Sequence, residues 1–232
     1  MYSHAHITQR PWDFWLARGA VALVVLLQLF IINDFSFGPR WLAPILESLL
    51  LLPLSVATAW TMNKARSEAP HHLLDIARYR RIIRTSAIVL TALITLMNFA
   101  ALYDLIRALL SGKAGAGTSL LLDAVNIWTT NVIAFTLWFW NIDRGGPTLR
   151  GLTAHAKRDF LFPQMTMQPV PENEWMPGFI DYLFLAFTNA TAFSPADTLP
   201  LSQRAKLLMM AQAALSLLVV ALVAARAVNI LA

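Results

Sequence analysis

The chain has 232 residues, 57% of them hydrophobic and 13% charged, with no cysteine, a formal net charge of +5 and a mean hydropathy of +0.57. A soluble domain carries about 25% charged residues, and several apolar runs here reach the ~18–20 residues that a bilayer requires. A sizeable soluble domain is therefore excluded, as are disulfides and thiolate metal or redox chemistry, and the positive excess fits cytoplasmic loops of a membrane protein rather than nucleic-acid binding.

Residues 1–12 are polar, with two histidines and Arg10. They lack a short apolar core followed by a small-residue cleavage site, so no cleaved signal peptide is expected. A first span is expected over 14–32. Trp12 and Trp15 stand at its start, where an aromatic belt lies, and Arg18 can snorkel to the interface. Asp34, Gly38 and Pro39 then supply a tight turn.

A second span over 41–62 carries Glu47 between Pro44 and Pro53. A carboxylate at membrane depth is expensive and is a functional candidate by default; a neutral or paired glutamate one turn below the interface is the structural alternative. The connection 63–84 is the most basic part of the chain, with Lys64, Arg66, Arg78, Arg80, Arg81 and Arg84 against Glu68 and Asp75. Anionic lipid headgroups are the expected partners of Arg78, Arg80, Arg81 and Arg84. His71 and His72 are adjacent, so on a helix they face different ways and make no metal pair.

Pro70 suits a first helical turn, and nothing breaks the chain from there to Leu102. One long helix is expected, with 82–102 as the third span. Thr91, Thr95 and Asn98 fall on one face of it, which reads as a helix–helix seam or a wet wall. Asp104 and Arg107 are spaced to pair at its far end. The glycine-rich stretch 111–118 lacks the Gly-Lys-Ser/Thr ending and the preceding strand of a phosphate loop.

A fourth span over 119–140 is about 33 Å long. Asp123, Asn126 and Thr130 share a face, with Asn131 adjoining, and Trp138 and Trp140 close the span at an interface. Asp123 is the second intramembrane carboxylate candidate, although it lies only about one turn in. The connection 141–177 is the longest, with Arg144, Gly145-Gly146-Pro147, Arg150, Lys157 and Arg158. Loops of that length are often functional. Phe160-Leu161-Phe162-Pro163 and Trp175-Met176-Pro177 read as interfacial anchors.

Residues 178–193 begin as an aromatic apolar run and turn polar at Thr188, Asn189 and Thr191. The chain then breaks at Ser194-Pro195. In hydrocarbon, such a polar break persists only where protein buries it or where it lines a wet cavity. The final helix is expected over 205–231. Gln212 and Ser216 give it a polar face, and Arg226 and Asn229 lie near its exit.

Two topologies compete for 178–193. If it crosses the membrane there are six spans, and thirteen of the eighteen lysines and arginines fall on one side. That side should be cytoplasmic, with both termini inside. If it folds back there are five spans and a re-entrant loop. Entry from outside, as in a potassium-channel pore, then puts fourteen positive residues outside and four inside. Charge bias in that form favours six spans, although 178–193 is short for one.

From 128 to 231 the chain resembles a family of small bacterial inner-membrane proteins defined only as a domain of unknown function. The residues that carry the resemblance are Phe135-Thr-Leu-Trp-Phe-Trp140, Asp159-Phe-Leu-Phe-Pro163 and Trp175, then Asp181-Tyr-Leu-Phe-Leu-Ala-Phe-Thr188, Phe193-Ser-Pro-Ala-Asp197, Ser202-x-Arg204 and Val228-Asn229-Ile-Leu231. The resemblance implies a bacterial cytoplasmic membrane protein. The stretch 181–231 is also similar to the pore helix, filter and inner helix of the potassium-channel superfamily. Tyr182–Thr188 stands in place of the pore helix and Thr191–Asp197 in place of the filter. Both filter glycines are absent and Pro195 stands in the run, so potassium selectivity is not implied.

The expectation is one all-α integral-membrane domain of about six embedded helices, with 178–231 as a channel-pore-like unit. Glu47, Asn98, Asp123, Asn126, Asn189, Thr191 and Asp197 are the candidates for a polar path for a small ion or solute. The alternative is a scaffold or partner subunit in which the same groups are packing glue. A pore built from the carboxyl-terminal pair requires a homo-oligomer. With no cysteine, no His-x-x-His or His-Glu-x-x-His spacing and no glycines about Ser194, neither an enzyme nor a bound cofactor is expected.

Overall fold

In a computed structural model of the chain, the described residues are 11–31, 45, 48, 73–110, 117–147, 157–167, 175–192, 194 and 197–231. Five helices organise them. These are α1 (Pro11–Ile31), α2 (Leu73–Leu110), α3 (Gly117–Ile142), α4 (Phe179–Thr191) and α5 (Gln203–Leu231). The segments Arg81–Leu110, Leu120–Gly145 and Gln203–Ala225 are long and apolar enough to cross a membrane, by length and composition. Glu47 and nearly all of the expected 41–62 span lie outside the described residues.

Helix α2 has 38 residues, about 57 Å at 1.5 Å per residue. That exceeds a ~30 Å hydrocarbon core, in accord with a helix whose basic first part precedes its apolar part. It ends eight residues beyond the expected Leu102. Helix α3 is the centre of the molecule. It packs against α1, α2, α4 and α5, and from Thr130 to Leu137 every residue is buried.

The end of α3 is a left-handed turn. Arg144, Gly145 and Gly146 have φ of 52°, 81° and 88°. At Gly146 an added Cβ would stand 2.8 Å from the Asn141 carbonyl oxygen, so only glycine fits. The chain then returns as a strap, 157–167. Two short strands, β1 (Phe160–Leu161) and β2 (Leu199–Pro200), pair antiparallel, and the Leu201 amide donates to the Asp159 carbonyl at 2.8 Å. The strap aromatics do not anchor in lipid as expected. Phe160 and Phe162 are buried in the protein, because Phe160 packs edge-on against Phe139 of α3 and Tyr182 of α4, and Phe162 against Tyr182 and Trp175.

Helix α4 does not make the expected sixth crossing. It has 13 residues, about 20 Å. Its first turn lies at the end of α3, where the Tyr182 hydroxyl donates to Asp143 Oδ2 at 2.6 Å. The chain after it, at Leu199–Arg204, lies at that same end: Arg204 Nη2 donates to the Ile142 carbonyl at 3.3 Å. Between these points α4 descends beside α5, since Asn189 Nδ2 donates to the Met209 carbonyl at 3.0 Å. Helices α4 and α5 therefore start from one end and run in the same direction. Seven residues, 192–198, separate α4 from β2, a length that can span about 23 Å when extended.

Candidate functional site

Three polar features surround the re-entrant helix. The first is its amino-terminal cap. Asp181 Oδ2 accepts the Gly178 amide at 2.7 Å, and Asp13 Oδ1 of α1 accepts the Phe179 amide at 3.1 Å. Two of the amides that a helix start leaves unpaired are thus met by carboxylates, which the positive end of the helix dipole also favours.

The second is a latch at the end of α3. Asp143 is buried and accepts from the Asp159 amide at 2.8 Å, the Phe160 amide at 3.4 Å and the Tyr182 hydroxyl. Asp159 is also buried. It accepts from the Ser202 hydroxyl and forms a two-point contact with Arg204, Nε to Oδ1 at 2.6 Å and Nη2 to Oδ2 at 2.5 Å. This fork geometry joins the strap to the start of α5. Together the two carboxylates tie the end of α3, the strap, the start of α4 and the start of α5 into one plane.

The third is a polar core about 12 Å along α5 from Arg204, eight residues on at Gln212. Asn131 Nδ2 donates to the Gln212 carbonyl at 3.3 Å and to Ser216 Oγ at 2.8 Å. Gln212 Nε2 donates to the Ala186 carbonyl at 2.8 Å, while its Oε1 accepts from Asn189 Nδ2 at 2.8 Å. All four side chains are buried. They seam α3, α4 and α5 where no water competes, as helices in a bilayer commonly do.

The path candidates read from the sequence do not converge. Asn98 is buried on the α2 face that meets α3, where Thr95 accepts the Trp138 indole N–H at 2.9 Å. That face is a seam. With Thr95 opposite Trp138 in antiparallel helices, Asn98 lies about nine residues, or ~13 Å, along α3 from Asn126. Asn126 is buried and accepts from Thr130 at 3.4 Å. Asp123 is half-buried near the other end of α3, twenty residues or ~30 Å from Asp143. Of the six candidates among the described residues, Asn189 alone joins the polar core. Thr191 is exposed, its hydroxyl turned back to the Phe187 carbonyl at 2.9 Å, and Asp197 is exposed on the return.

Sequence reasoning did not single out Asp143, Asp159, Tyr182 or Arg204 as site residues. Nothing local joins positions 45 residues apart, so Asp159 and Arg204 carry no sequence signal of their pairing. Among the described residues no group of three His, Asp or Glu side chains could hold a metal ion. No family model, curated protein or solved structure matches the chain.

Proposed function

We propose that this chain is a channel-like membrane protein that passes a small ion or polar solute along the outer face of α4. One observation carries the reading: a 13-residue helix enters and leaves at the same end of the bundle, and its far end is polar and exposed. Thr191, Ala192 and Ser194 are open on the surface of the chain. Thr191 lies two residues past Asn189, so it stands about 15 Å from the Arg204 level, close to half of a ~30 Å hydrocarbon core. Non-helical backbone at that depth is tolerated where it lines a water-filled cavity or is covered by protein. Among the described residues the polar side chains of the core hydrogen-bond across α3, α4 and α5 rather than line a path.

The same end of the bundle carries the basic residues. Among the described residues Arg81, Arg84, Arg144, Lys157, Arg158, Arg204 and Lys206 fall on the stretches at that end, against Arg107 at the other, and the positive-inside bias then makes it cytoplasmic. On this reading the re-entrant helix enters from inside the cell, and α5 ends on the opposite side from the start of α1. The resemblance of 128–231 to small bacterial inner-membrane proteins supports the cytoplasmic membrane as the site, and Arg81 and Arg84 meet anionic headgroups.

A second reading has its own support. Asn189, Asn131, Gln212 and Ser216 are hydrogen-bonded within the core, as packing glue in a non-transporting scaffold would be. Flux through liposomes separates the two. Purified protein should release a trapped monovalent ion or small polar dye, and Thr191→Phe should cut the rate at least tenfold while leaving thermal stability within about 0.5 kcal/mol, as for a surface substitution. Absence of flux for common cations, anions and polar dyes would leave the scaffold reading.

A further inference from the structure

We propose that a single water molecule is built into the seam between α3 and α5, bridging the Asn131 side-chain oxygen and the Ser216 hydroxyl. The site goes beyond the channel-like reading and holds whether or not the chain conducts. Asn131 is 1% exposed and Ser216 is fully buried. The Asn131 amide directs its N–H groups at α5, to the Gln212 carbonyl at 3.3 Å and to Ser216 Oγ at 2.8 Å. Its oxygen, Oδ1, is buried and meets no donor among the described residues. Turning the amide over gives no better match. It would trade one unmatched oxygen for two unmatched N–H groups and set oxygen against the Gln212 carbonyl. Ser216 Oγ receives the Asn131 amide, so the hydroxyl proton still needs an acceptor. Among the described residues it finds none.

The two unmatched groups are complementary and close. The oxygen and nitrogen of an amide are about 2.2 Å apart. With Nδ2 at 2.8 Å from Ser216 Oγ, Oδ1 is within about 5 Å of that hydroxyl. A water about 2.8 Å from each oxygen bridges separations up to ~5.6 Å. It accepts from Ser216 and donates to Asn131, so both groups are matched. Buried waters sit in this way, on about two to four polar groups that nothing else satisfies. Depth makes the match matter. Ser216 is twelve residues past Arg204, about 18 Å along α5 and near the middle of a ~30 Å hydrocarbon core. Lipid there supplies neither donor nor acceptor. The chemistry suits water rather than an ion. Asn189 and Gln212, the other side chains of this polar core, are neutral, and two neutral oxygens fall short of the roughly six or more that a hard cation takes.

The test is a structure of the full chain in lipid nanodiscs at a resolution that shows ordered water, with water-edited solid-state NMR of the same protein in bilayers. One density peak should lie within hydrogen-bond distance of both Asn131 Oδ1 and Ser216 Oγ. In the spectra, the Asn131 side-chain amide should draw magnetisation from water several-fold faster than the backbone amides of Val132 and Ile133. Ser216→Ala should remove the peak and return that transfer to the rate of those two neighbours. Ser216→Thr, which keeps the hydroxyl, should retain both. Should Ser216→Ala fail to fold, the wild-type map and spectra decide alone. A map with both side chains ordered and no peak between them overturns the proposal. So does an Asn131 oxygen that meets a protein donor, a peak ringed by the further oxygens of a bound cation, or transfer to Asn131 no faster than to its neighbours.

Discussion

Asp159 is a buried carboxylate whose charge is met by one arginine and one serine. The Arg204 side chain is 53% exposed, so solvent screens its share and the pair is worth less than a fully buried one. Removing Arg204 still leaves Asp159 buried with only the Ser202 hydroxyl among its side-chain partners. Arg204→Gln should therefore lower unfolding stability by about 1.5–3 kcal/mol, the range for hydrogen bonds to a charged group. At 2–4 °C per kcal/mol for a chain of this length, the loss is visible in a thermal melt. In the double variant with Asp159→Asn the two effects should fall short of additive by about 0.5–3 kcal/mol, and strict additivity would dissolve the latch. None of this pairing was legible locally. A carboxylate in a basic loop reads as solvated until the fold brings Ser202-x-Arg204 across to it. Asn189 was legible as a polar group that must be buried by protein or line a wet cavity, and the fold buries it against Gln212.

At the scale of elements, the apolar runs located the helices well. Expected spans at 14–32, 119–140 and 205–231 became Pro11–Ile31, Gly117–Ile142 and Gln203–Leu231, because continuous apolar length is a strong and local signal. The path of 178–193 was not local. A run of 16 residues is compatible with a short crossing or a deep re-entry. The difference is made by the pairing of Phe160 with Pro200 and by the two-point hold of Arg204, contacts across about 40 residues. The strap depends in turn on how α3 ends. At Gly146 both φ and ψ (88°, 175°) lie in a region that only glycine occupies readily. Gly146→Ala adds a methyl 2.8 Å from the Asn141 carbonyl oxygen. We expect a loss of at least 1–3 kcal/mol and, in limited proteolysis, faster cleavage of the strap between 157 and 167. An unchanged melt and digestion pattern would mean that the turn does not position the strap.

For the whole molecule, the lysine and arginine count was a sound clue applied to the wrong question. Thirteen of eighteen on one side for six spans and fourteen of eighteen for five are equally lopsided. Such bias sets which way a bundle faces, not how many times it crosses. The expected violation arose from entering the loop from outside; on the proposed reading, entry from inside removes it and sets the two termini on opposite sides. Sequence alone thus conveyed a helical membrane bundle and its basic flanks as patterns of composition, whereas the fold-back is a matter of which distant groups meet. It is tested most directly with single cysteines at the exposed positions Lys157 and Gln203, one on each flank of α4, and a membrane-impermeant maleimide applied to right-side-out and to inverted vesicles. Re-entry predicts that both positions react from the same side, the cytoplasmic one. Reaction of the two from opposite sides would contradict it and restore α4 as a full crossing.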